Sequence, residues 1–162
     1  GADVLTIGQV TLYMAISMAA GSFLYGPLDT LFRTRKWVAF CGNIVGLSAI
    51  VWLAFNPVTT ITASTAAFVV IGLFGGSYGL LMAHARAFLP GHLTGRGVTL
   101  MNFFSIGGVG AMQFGTGAVV TSATVPGDPA AGYAALFGFY ALMLGLSLVV
   151  YLFARDAPPN PR

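Results

Sequence analysis

Four stretches of this sequence, Val4 to Leu28, Trp37 to Ala85, Gly97 to Gly127 and Pro129 to Ala154, contain no Asp, Glu, Lys or Arg. A run of about 20 apolar residues is enough to cross the ~30 Å hydrocarbon core of a bilayer, and inside that core every backbone polar group must find a partner within the protein. Helices satisfy that demand within one segment. Only 7% of the 162 residues are charged, against roughly a quarter in a soluble domain. Soluble folds are excluded, and an all-α membrane protein is expected. The run from Trp37 to Ala85, about 49 residues, would extend about 73 Å as one helix, more than twice the core thickness, so it must hold two spans. Asn56-Pro57 is the break, because proline cannot continue a helix and turns the residue before it away from the helical region.

Five spans follow, at about 4–26, 37–55, 59–82, 98–121 and 133–153, making a transmembrane segment over 1–154 and a proline-rich, non-helical tail over 155–162. The first span is expected to end at Gly26-Pro27. Residues 84–97 read as a polar loop carrying Arg86 and Arg96, and Pro126-Gly127-Asp128-Pro129 reads as a turn. Five crossings put Arg33, Arg35, Lys36, Arg86, Arg96, Arg155 and Arg162 on one side and no Lys or Arg on the other. By the positive-inside rule that side is cytoplasmic, with the carboxyl terminus on it and the amino terminus outside, in a bacterial inner or a plasma membrane. An outside start at Gly1 carries the expectation of a piece of a longer protein, in which an earlier span delivers that end across the membrane.

Charge and motif exclude several classes. The bases lie at span edges and form no face interleaved with exposed aromatics, so no nucleic-acid partner is expected. Cys41, the single cysteine, reads as a small buried hydrophobe. His84 and His92 read as interfacial loop residues, too few for a metal site, and no haem ligand, nucleophile motif or phosphate loop is present. Neither metal, cofactor nor enzyme activity is expected. The span interiors hold only neutral polar groups: Gln9, Tyr13 and Ser17 on one stripe of the first span, Asn43 on the second, Tyr78 on the third, and Asn102, Ser105 and Gln113 on the fourth. Gly72, Gly75, Gly76 and Gly79, and Gly107, Gly108, Gly110, Gly115 and Gly117, recur at intervals that let helices approach closely; tight packing and helix rocking are both open readings.

The stretch Gly26-Pro-Leu-Asp29-Thr-Leu-Phe-Arg33-Thr-Arg35-Lys36 resembles the signature loop of the major facilitator superfamily, where a glycine, an aspartate and a basic cluster join two helices. It departs from that pattern in its glycine-to-aspartate spacing and in Thr30, which stands where a base is usual. Phe88-Leu-Pro90 through Gly95-Arg96-Gly97 and on to Asn102 is similar to the family's loop before its eleventh helix. The resemblance implies that the spans are the eighth to twelfth helices, part of the carboxyl-terminal six-helix bundle of a twelve-helix transporter whose amino-terminal half is a missing partner. It implies that Gly26, Asp29, Arg33, Arg35 and Lys36 form a conformational charge clamp. It also implies that Gln9, Tyr13, Tyr78, Asn102 and Gln113 face a small-molecule solute moved by alternating access. A small membrane scaffold or assembly subunit without transport activity is the alternative.

Overall fold

A computed structural model describes residues 3–159. Five of its helical stretches are long and apolar enough to cross a membrane. In chain order the helices are α1 (Val4–Phe32), α2 (Arg35–Phe55), α3 (Ile61–Gly75), α4 (Tyr78–Arg86), α5 (Thr94–Ala123) and α6 (Pro129–Leu152), with one 3-10 turn at Gly91–Leu93. The break at Asn56-Pro57 lies where proline demands it, between Phe55 and Ile61. Gly127, with φ of 89°, makes the turn before α6; that left-handed backbone suits glycine because no Cβ is present to clash.

Three boundaries differ from expectation. The first helix does not stop at Gly26-Pro27 but runs six residues further, to Phe32. Proline sacrifices one backbone hydrogen bond, a loss that a helix packed against neighbours tolerates. Tertiary contact holds the last turn, because Asp29 is buried there and bonded to α2. The third span is two helices, α3 and α4, parted at Gly76-Ser77. Residues 84–97 are largely helical, so Arg86 ends α4 and Arg96 lies in the first turn of α5 instead of a loop.

Helix α1 packs on α3, α3 on α2, α2 on α6 and α6 on α5, while α4 touches α1, α2 and α5. Where four of these helices meet, Tyr25 of α1, Ala39 of α2 and Leu80 of α4 form a buried cluster, covered by Val38, Leu81 and Tyr151 of α6. The α1 to α3 seam is backbone on backbone. A Cβ at Gly21 would lie 1.9 Å from the Leu73 carbonyl oxygen, and one at Gly72 would lie 2.3 Å from Ser17 Oγ and 2.5 Å from the Met14 carbonyl oxygen. Gly72 and Gly76 therefore serve packing. On α5 the glycines behave differently, since Gly107, Gly108, Gly110 and Gly117 have nothing within 4 Å of where a side chain would start.

Candidate functional site

Among the described residues, the basic residues lie at the α1–α2 turn, the α4–α5 connection and the tail. Helix α1 ends at Arg33, in the left-handed conformation with φ of 52°, and Thr34 starts α2 by accepting from the Trp37 amide at 3.2 Å. This two-residue turn brings Arg35 back over the last turn of α1, where its Nε donates to Asp29 Oδ2 at 3.2 Å. The Thr30 hydroxyl donates to the other carboxylate oxygen at 3.0 Å. The pair is largely shielded, with side chains 20% and 12% exposed for Arg35 and Asp29. Of the sequence-derived clamp residues, Asp29 and Arg35 are joined. Gly26 lies exposed within α1, Arg33 is exposed at the turn, and Lys36 points elsewhere.

Lys36 belongs to a second network that the sequence did not suggest. Its Nζ donates to the Leu152 carbonyl at 2.7 Å and sits 4.9 Å from the Trp37 ring centroid. Asp156, in the tail, accepts from the Thr34 hydroxyl and, at 3.1 Å, from the Lys36 amide, so a residue 120 positions away caps α2. His84 is the other anchor. Contrary to its reading as a loop histidine it lies in α4 and is only 3% exposed. Its Nε2 is 2.9 Å from the Arg155 carbonyl and its Nδ1 is 2.7 Å from the Tyr151 hydroxyl. A carbonyl oxygen only accepts, so Nε2 carries a proton, and in the neutral ring Nδ1 accepts from Tyr151. His92, in the 3-10 turn, is exposed. Arg162 lies outside the described residues.

Burial works against ionisation of Asp156, but bonds from the Thr34 hydroxyl and the Lys36 and Ala157 amides, with His84 nearby, outweigh it and hold the carboxyl below its ordinary 3.8. A carboxyl depressed in the docked state stabilises docking fully above its ordinary value, and that contribution is lost as pH falls through the lower, docked value. A spin label on Ala157→Cys, in a Cys41→Ser background, is therefore expected to stay immobile from neutrality down to 3.8 and to loosen below it. An Asp156→Asn variant should be loose at every pH; a pH-independent wild-type spectrum would refute the link.

The five solute-facing candidates are not brought into one site. The Tyr78 hydroxyl donates to Asn102 Oδ1, tying the start of α4 to α5. Gln9 and Tyr13 are exposed on α1 and Gln113 on α5, away from that pair along the helices. Ser17, on the stripe with Gln9 and Tyr13, is buried against Gly72.

The interruption of the third span is the other polar feature. Parting α3 from α4 frees the Phe74 carbonyl, which accepts from the Tyr25 hydroxyl at 2.8 Å. Ser77, 3% exposed, meets Asn43 Nδ2 at 3.0 Å, and that amide also donates to the Ala39 carbonyl at 2.8 Å. Side chains of α1 and α2 thus satisfy the broken helix, as a low-dielectric interior requires. The break falls at Gly76-Ser77, beside Gly75, a composition that fits a continuous span equally well. Among the described residues, no group of three or more His, Cys, Asp or Glu comes together.

A scan against protein-family models finds no match, and searches of curated proteins and of solved structures find none either.

Proposed function

We propose that this chain is part of a secondary transporter of the major facilitator type and contributes the eighth to twelfth helices to a path that moves a small solute by alternating access. The observation that carries the reading is the Asp29 to Arg35 pair. A shielded acid on one helix meets a base on the next across a two-residue turn, and such a bond can hold one arrangement of two helices and release in another. The exposed side of α5 adds support: Phe103, Phe104, Ile106 and Phe114 stand open beside glycines with free space, a surface that suits a facing helix. Gln9, Tyr13 and Gln113, also open, would then face the other half of the protein, and the base-bearing connections and tail would be cytoplasmic. The same open face of α5 suits the second reading, an assembly subunit whose partner covers it without any transport.

The test begins with cells overproducing the full protein and a panel of radiolabelled sugars, amino acids and organic cations. A solute whose accumulation responds then serves to assay Asp29→Asn. Losing a charge-assisted bond of roughly 1.5 kcal/mol corresponds to about a tenfold change in rate, with the protein still inserted. Unchanged rates would remove the clamp, and a silent panel would favour the subunit. For orientation, a cysteine at Gly127 should react with an impermeant maleimide from outside and one at Arg86 should not; the opposite pattern would invert the topology.

A further inference from the structure

The geometry points to a lipid-binding site on the outer surface of α1 and α2, shaped for one acyl chain of an anionic phospholipid with its phosphate at Arg33 and Lys36. The two helices diverge from their turn and leave an open groove of about 620 Å³. Leu24, Leu28 and Phe32 form one wall, Trp37, Cys41 and Val45 the other, and Leu73 and Phe74 of α3 the floor. Cys41 was expected to be buried, and it is exposed here as part of that wall.

Length selects the occupant. The lining runs from Gly21 to Phe32 on α1 and from Thr34 to Val45 on α2, eleven steps each, or about 16 Å at 1.5 Å per residue. That is about half of a ~30 Å hydrocarbon core, the depth of one leaflet. A transmembrane helix from a partner would run past such a groove, whereas a single acyl chain fills it and stops. Along this depth the lining is almost wholly apolar, and the Tyr25 hydroxyl is already engaged by Phe74.

Charge selects the headgroup. Thr34 lines the groove at its membrane-edge end, between Arg33 and Lys36. Arg33 is exposed, and among the described residues no carboxylate pairs with it. Lys36 spends one of its three donors on the Leu152 carbonyl and keeps the others. The two acids at this turn are engaged, Asp29 by Arg35 and Asp156 by the Thr34 hydroxyl and the Lys36 amide, and with Arg33, Arg35 and Lys36 against them the turn keeps a net positive charge. Two bases therefore stand at the phosphate level over an apolar slot, with Trp37 at the interface where indoles favour the headgroup region. This site is independent of transport and requires only that α1 and α2 lie in a membrane.

The test uses the full protein carrying Trp52→Phe, which leaves Trp37 as the only tryptophan in this chain; any tryptophan elsewhere in a longer protein is replaced likewise. Nanodiscs contain phosphatidylcholine plus increasing mole fractions of chain-brominated phosphatidylglycerol or chain-brominated phosphatidylcholine, and Trp37 quenching is followed. Half-quenching is expected at a lower fraction of the anionic lipid, by about fivefold for each engaged base. Arg33→Gln with Lys36→Gln should erase the preference, while Arg33→Lys with Lys36→Arg should keep it. Val45→Phe should weaken quenching by both lipids, because the ring occupies the slot. Equal quenching by the two lipids, or a preference surviving the double glutamine variant, would overturn the headgroup assignment. Absence of quenching by either would show the groove covered by a protein helix and overturn the site.

Discussion

Gly21→Leu is expected to yield no folded protein, and even Gly21→Ala to cost about 1 to 3 kcal/mol, the range for forcing atoms into a packed interior. The obstacle is specific. A methyl at this position meets the Leu73 carbonyl oxygen at 1.9 Å and its carbon at 2.8 Å, and backbone inside a helix cannot rotate away as a side-chain tip can. Relief requires α1 and α3 to separate, which would also pull Ser17 and Met14 off Gly72. Gly8→Ala makes the matched control, because nothing lies within 4 Å of its new methyl. Thermal stability in detergent should fall sharply for the first variant and hold or rise for the control, since alanine is the better helix former. Equal melting of the two would refute backbone contact as what holds the seam.

The second large effect is expected at His84. Replacement by phenylalanine preserves much of the ring volume and the edge contacts with Phe88 and Tyr151. It leaves the Arg155 carbonyl and the Tyr151 hydroxyl without their partner. Both bonds are part-buried, so losing each costs about 1 kcal/mol, the net worth of an ordinary hydrogen bond. The tail should then detach from α4, exposing residues 155–159 to protease and releasing Asp156 from the start of α2. His84→Gln, which keeps both donor and acceptor character, should restore part of the protection. A tail equally protected in the phenylalanine variant would show that Asp156 and Lys36 hold it alone.

What the sequence made legible follows from what a bilayer demands. Uncharged length locates helices regardless of their neighbours, so the five long apolar stretches and the break at Asn56-Pro57 could be read directly. Pro27 could not, because its effect depends on whether Asp29 finds a base across the turn, and that is a tertiary fact. The same holds for Gly76-Ser77. Glycines inside a span are compatible with a continuous helix, and the interruption is settled by Tyr25 and Asn43, which lie 49 and 34 positions from their partners. Asp29 and Arg35, close in sequence, were visible as members of one charged cluster, but which of its bases meets the acid was not. His84, Tyr151 and Asp156 were not, because a cap supplied from 120 residues away leaves no local spacing to detect. Of the five solute-facing candidates, Tyr78 and Asn102 meet and the others stand apart, and helix rotation, which composition does not set, decided that.

The parting of α3 from α4 has a mechanical consequence. Helix α3 is keyed to α1 by backbone contact, while α4 is tied to α5 through Tyr78 and to the tail and α6 through His84. One candidate membrane span is thus split between two sets of partners, with the joint at Gly76-Ser77. Were α5 to tilt, the Tyr78 and His84 bonds would carry the displacement through α4 toward the Lys36 and Asp156 network, while backbone contact holds α3 to α1.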